Sequence, residues 1–170
     1  MRKLFVIFGI CGLLTLAGCE VSDEKSPVPQ ATQTPAAPRV ELARGDLQFV
    51  TDDLTDGLGI AEREGKPLLV FFTFRGCRYC HEMARESFTN RQIIALSREF
   101  VCVLVDADVQ PLSCQRYQVH SFPTVQFISP RGVPLNRIVG KRSSQDILQQ
   151  MQAALQALAA SQARPDVQRL

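Results

Sequence analysis

The chain has 170 residues, a formal net charge of +2, and 45% hydrophobic against 21% charged residues. This suits one domain with a normal core plus appendages and excludes a globally disordered chain. No basic patch marks a nucleic-acid partner, and no period of roughly 20–50 residues marks a repeat array.

Arg2 and Lys3 open the chain, and the almost wholly apolar run 4–16 follows. That run is too short to span a bilayer comfortably and suits the core of an export signal. It ends in Leu16-Ala17-Gly18-Cys19, which resembles the lipobox of bacterial lipoproteins. The resemblance implies a signal peptide over 1–18, cleavage after Gly18, and a lipid on Cys19. A plain signal peptide, or an uncleaved anchor in which Cys19 is incidental, is the alternative. Loss of Arg2 and Lys3 takes Lys+Arg from 19 to 17 against 17 Asp+Glu, a near-neutral mature chain. The expected location is the bacterial periplasm, on a membrane. Glu20 is not the Asp associated with inner-membrane retention, which points to the outer membrane. Disulfides persist in that compartment. With Cys11 removed and Cys19 lipidated, Cys77, Cys80, Cys102 and Cys114 remain to be explained.

Residues 19–45 are rich in Ser, Pro, Gln, Ala and Thr without apolar periodicity, as in a semi-rigid tether. Folded sequence is expected over 46–160. Leu47, Phe49 and Val50 suggest a short strand, and 52–64 a helix ending at Gly65. LLVFFTF (68–74) and VCVLVD (101–106) read as strands buried on both faces. Helical sequence occupies 77–88 and 90–99, with a short helix near 112–117. TVQFIS (124–129) and LNRIV (135–139) alternate around Pro130-Arg131-Gly132 as an antiparallel hairpin. Ile147, Met151, Ala154 and Leu158 form one stripe of a closing helix, 143–160, started by Ser143 and Asp146. A polar tail follows over 161–170. The order combines parallel crossovers with a terminal hairpin: an α/β fold with a mixed sheet and helices on both faces.

Residues 77–81 read C-R-Y-C-H, a spacing shared by redox dithiols and c-type haem attachment sites. Cys77 directly follows the first buried strand, and Cys80 falls in the first turn of the next helix. Unpaired backbone N–H groups and the helix dipole favour a thiolate at Cys77, with Arg75 and Arg78 adding positive charge. Further along, Ser121-Phe122-Pro123-Thr124 precedes the strand beginning at Val125. Together these features resemble the thioredoxin superfamily over about 46–160. The resemblance implies a thioredoxin-like fold with a four- to five-stranded mixed sheet and thiol–disulfide oxidoreductase activity, requiring no metal or other cofactor. Cys77 would attack and Cys80 resolve. Pro123, in the position of the family's cis proline, and the backbone of Phe122 would bind substrate. Arg78, Tyr79 and His81 would modulate the pair. Two other readings remain: a structural staple in a non-enzymatic binding module, and a haem held by both cysteines and His81.

The sequence departs from the family in three places. Gly76 stands where thioredoxins usually carry tryptophan, Phe71 where they bury an acid, and Leu104 where the associated lysine lies. Losing both polar partners together is self-consistent, since losing one would strand a buried charge. Glu82 or His81 is left as the candidate proton relay. Arg78 should push the site towards oxidising potential, whereas 66–90 resembles exported domains that relay electrons from membrane reductases; reduction is favoured over oxidation. Expected partners are periplasmic protein thiols and disulfides and a membrane electron-donor reductase, with the protein a monomer. His120 reads as a rim residue, and Asp106 and Asp108 as turn caps. Cys102 and Cys114 are either two buried thiols or a structural disulfide.

Overall fold

The computed structural model describes residues 44–163. The expected signal peptide, the lipidation site Cys19, most of the tether and the end of the tail lie outside them.

Apolar runs without alternation form the centre of the sheet. Leu68–Thr73 (β1) and Val101–Asp106 (β2) are buried at every position. They pair in parallel, from Leu68 opposite Val101 to Thr73 opposite Asp106. Thr124–Ile128 (β3) runs antiparallel along the other edge of β1, and Pro134–Val139 (β4) antiparallel to β3. The order is β2-β1-β3-β4. The strand expected near Leu47–Val50 shrinks to one bridge, Thr51 to Val103. Leu47 is buried and Phe49 stacks on Phe71, while the Asp46 N–H donates to the Phe88 carbonyl, so the segment packs on the core before its end touches the edge of β2. Gly45 has φ +60° and lies against the helix Arg78–Glu86, where an added Cβ would come within 2.4 Å of the Ala84 carbonyl oxygen.

The helices are Leu54–Glu64 (α1), Arg78–Glu86 (α2), Arg91–Leu96 (α3, followed by a 3-10 turn at Ser97–Glu99), Pro111–Arg116 (α4) and Ser144–Ala163 (α5). Short polar side chains start several of them. Asp53 accepts from the Thr55 and Asp56 N–H groups, and Asn90 from those of Gln92 and Ile93. The Ser143 hydroxyl accepts from the Asp146 N–H and bonds its carboxylate, as the sequence suggested. α5 runs three residues beyond the expected end at 160, because helix-favouring Ala and Gln continue after the last buried position, Leu158.

Strand parity sorts the core into two layers. Leu69, Phe71, Cys102, Leu104, Val125 and Phe127 pack with Met83, Ile93, Ile147 and Met151 of α2, α3 and α5. Leu68, Val70, Phe72, Val103 and Val105 pack with Leu54, Ala61, Cys114 and Tyr117 of α1 and α4. Each large buried side chain is worth about 1.5–3 kcal/mol. The same parity rules out the disulfide between Cys102 and Cys114. The two thiols lie in opposite layers with the sheet between them, and both are free. Gln126 of β3 is buried, with its amide N–H donating to the Asn136 carbonyl at 2.9 Å.

Candidate redox site

The site lies at the C-terminal ends of β1 and β2, where two registers bring distant segments together. Cys77 is the N-cap of α2, and its sulfur accepts from the Cys80 N–H at 3.3 Å. The helix begins here because the Cys77 carbonyl takes the His81 N–H and the Cys77 N–H turns back to the Phe74 carbonyl. The two cysteines are disulfide-bonded, with Cα atoms 5.3 Å apart. Both sulfurs are thus in one bond, and neither is left as a thioether for haem. Cys77 is 4% exposed and Cys80 fully buried. Reduction would leave the Cys77 sulfur at a helix N-terminus, where free N–H groups and the dipole stabilise a thiolate.

Gly76 has φ +78° and open space where a Cβ would stand. A side chain there is opposed by backbone strain and not by crowding. This gives a conformational reason why no large residue precedes Cys77.

The second segment arrives by the β1–β3 register. Phe72 faces Thr124, so continuing the antiparallel pair by two residues sets Phe74 across from Phe122. Their rings meet edge to face at 5.3 Å. The Phe122–Pro123 peptide is cis, as the resemblance implied. The Thr124 hydroxyl donates to the Ser121 carbonyl at 2.7 Å, and the Gly140 N–H to the Pro123 carbonyl at 2.8 Å, fixing the turn. Phe74 was not singled out in the sequence. The signal was its place two residues beyond a buried strand, but its partner becomes legible only with the register known.

The third segment comes from β2. Thr73 pairs with Asp106, which sets the following turn beside the cysteine loop. Asp106 accepts from the Asp108 N–H at 3.0 Å, the expected turn cap. It also lies 3.6 Å from the Arg75 guanidinium, and Asp108 accepts from the Arg75 N–H.

Of the expected modulators, Tyr79 is exposed, His81 half-buried and His120 exposed. Arg78 donates through Nε to Glu82 Oε1 at 2.9 Å. Glu82 Oε2 receives Lys141 Nζ at 3.1 Å, and Lys141 also reaches Glu86. The hydrogen bonds from Arg78 and then Lys141 hold the Glu82 carboxyl below its ordinary value. It is therefore in the carboxylate form at neutral pH, which can accept a proton but not donate one. The i,i+4 spacing of Arg78 and Glu82 was a readable signal; Lys141, from the loop after β4, was not. Phe71 and Leu104 are cross-strand partners, both fully buried, so the apolar replacements of the family's acid and lysine do face one another.

Residues 54–155 match the thioredoxin-like domain family, well over half the chain, and this protein belongs to that family. Among curated proteins it is 40% identical over 52 residues to mouse (Mus musculus) spermatogenesis-associated protein 20. That segment is 30% of this chain but 7% of the relative, so the chain spans a small fraction of the relative's length. Among solved structures, a thioredoxin from Thermus thermophilus matches with a TM-score of 0.60 and 21% identity over 71% of this chain and 98% of that one. DsbH oxidoreductase matches at 0.55 and 20%, covering 66% and 88%. The C-terminal domain of Neisseria meningitidis DsbD, in its oxidised form, matches at 0.52 and 18%, covering 58% and 90%. At these identities the structural likeness establishes the fold. Fold and cysteine pair together support a general thiol–disulfide oxidoreductase.

Proposed function

We propose that this protein is an exported, lipid-anchored thiol–disulfide oxidoreductase that reduces protein disulfides through Cys77 and Cys80. The observation that carries this reading is Cys77 at the N-cap of α2, bonded to Cys80 one turn on, with the cis Phe122–Pro123 loop joined to the cysteine loop through Phe74. Chemically, the Cys77 thiolate attacks a substrate disulfide. One substrate sulfur leaves as a thiol, and the other stays in a mixed disulfide. Cys80 then displaces it, closing the internal bond and releasing the second substrate thiol. Two electrons pass to the substrate, and a membrane reductase restores the dithiol. Pro123 and the Phe122 backbone hold the substrate strand. Export and lipid attachment rest on the Leu16–Cys19 sequence alone, with the periplasm as location and the outer membrane as the anchoring surface.

Disulfide reduction by the purified protein, compared with Cys77→Ser, tests the activity; equal rates would sink it. Cys80→Ala should accumulate mixed disulfides in cells and so name the partners. Lipid attachment is checked by mass spectrometry of the mature N-terminus against Cys19→Ala.

A second reading, a structural staple in a binding module, is favoured by the burial of both sulfurs. Redox titration separates the two, since structural bonds typically sit below about −300 mV.

A further inference from the structure

Arg78 stands between the two cysteines, where an unbalanced cation would stabilise the Cys77 thiolate and make the site more oxidising. Its side chain is 83% exposed and free to choose its direction, yet it is committed to Glu82. Side chains of a helix lean towards its N-terminus, which for residue 78 is the side of Cys77. The bond to Glu82 draws the guanidinium the other way, one turn along α2. Glu82 can hold it because its own carboxylate is fixed: only 18% of the side chain is exposed, and Lys141 Nζ grips the second oxygen at 3.1 Å. Lys141 is in turn 2.7 Å from Glu86, so the row Arg78–Glu82–Lys141–Glu86 alternates in sign along the helix. The other ionisable side chains near the cysteine loop are Arg75, which faces Asp106, together with Asp108, His81 and His120.

We propose that Glu82 is a positioning residue: by holding Arg78 along α2 it keeps that cation from the Cys77 sulfur and leaves the site more reducing than Arg78 alone would make it. The inference rests on the oxidoreductase reading above and adds what fixes its electron-transfer direction.

The test is the equilibrium of the purified full-length protein with reduced and oxidised glutathione, for wild type, Glu82→Gln, Arg78→Gln and the double variant. Thiolate formation in the reduced proteins is followed by absorbance near 240 nm. Glu82→Gln should favour the dithiol by about three- to tenfold, the upper figure equal to about 30 mV for this two-electron couple. It should also lower the pH at which the Cys77 thiolate forms. Arg78→Gln alone should move the equilibrium less than about twofold, since its charge is already balanced. In the Arg78→Gln background the effect of Glu82→Gln should vanish. A loss of packing would shift unfolding midpoints but would produce neither the thiolate change nor its dependence on Arg78.

An unchanged equilibrium in Glu82→Gln, with the wild-type pair titrating normally, overturns the inference and leaves the oxidoreductase reading standing. An equal shift with or without Arg78 overturns it too, because Glu82 would then act by its own charge. A wild-type pair that stays oxidised throughout the glutathione range overturns the oxidoreductase reading and the inference together.

Discussion

Phe71 offers the sharpest check on how the site's floor is built. It is fully buried, stacked with Phe49 at 6.4 Å and edge-on to Phe88 at 4.9 Å, and it faces Leu104 across the sheet. Phe71→Ala removes a whole ring from a close-packed layer and should cost about 3–5 kcal/mol. Against a total stability of about 5–15 kcal/mol, that is a large share. It corresponds to a fall of about 12–20 °C in Tm, at about 4 °C per kcal/mol for a domain of this size. Phe71→Asp adds a pH signature. The neighbouring layer offers no cation, so the introduced carboxyl would be held neutral in the folded state and its pKa raised. The unfolded chain would ionise first, near pH 4, so stability should fall as pH rises from there to the raised folded value and then level off. Urea unfolding of both variants between pH 3 and pH 8 measures this. A Phe71→Ala loss below about 1 kcal/mol, or a Phe71→Asp stability that rises with pH, would refute the account of an apolar floor.

Three further outcomes are expected. Burial pushes the Cys102 thiol from its ordinary 9.0 up to about 12. Stability should therefore be full below pH 9 and decline as pH climbs towards 12, by about 1.4 kcal/mol per unit relative to Cys102→Ala, read by urea unfolding at each pH. Peptide mapping after alkylation in denaturant should recover Cys102 and Cys114 each as a separate free thiol; a peptide joining them would contradict the two-layer core. Gly45→Ala combines left-handed backbone strain with a collision at the Ala84 carbonyl, so a loss of about 2–4 kcal/mol in chemical unfolding is expected. Wild-type stability in that variant would mean the segment before α1 does not pack as described.

Much of the fold was legible because its signals are local. The apolar runs at 68–74 and 101–106 read as strands covered on both sides, and both match the structure to within a residue. The cap at Ser143 was readable for the same reason. What failed depended on neighbours that no window contains. Leu47 and Phe49 have strand-like spacing, but the Phe88 carbonyl, just past α2, takes the Asp46 N–H. The parity of Cys102 was readable within β2, whereas the layer occupied by Cys114 depends on where α4 docks. In the site, Cys77, Cys80 and Pro123 were visible as residues. The Phe74–Phe122 contact and the grip of Lys141 on Glu82 came only with the register and the loop after β4.

The bridge at Thr51 closes more than a gap in the strand count. The Val50 N–H donates to the Cys102 carbonyl at 3.0 Å, and the Leu104 N–H donates to the Thr51 carbonyl at 3.2 Å. These bonds occupy outward-facing groups along β2, which has no further strand on that side among the described residues. The opposite border begins at Pro134, which has no N–H to offer. Open strand edges are templates on which other extended chains add themselves. A protein whose proposed clients are extended, cysteine-bearing polypeptides meets such chains continually. Two short residues laid along β2 therefore act as a guard rail, leaving a client chain fewer places to pair by mistake away from Cys77.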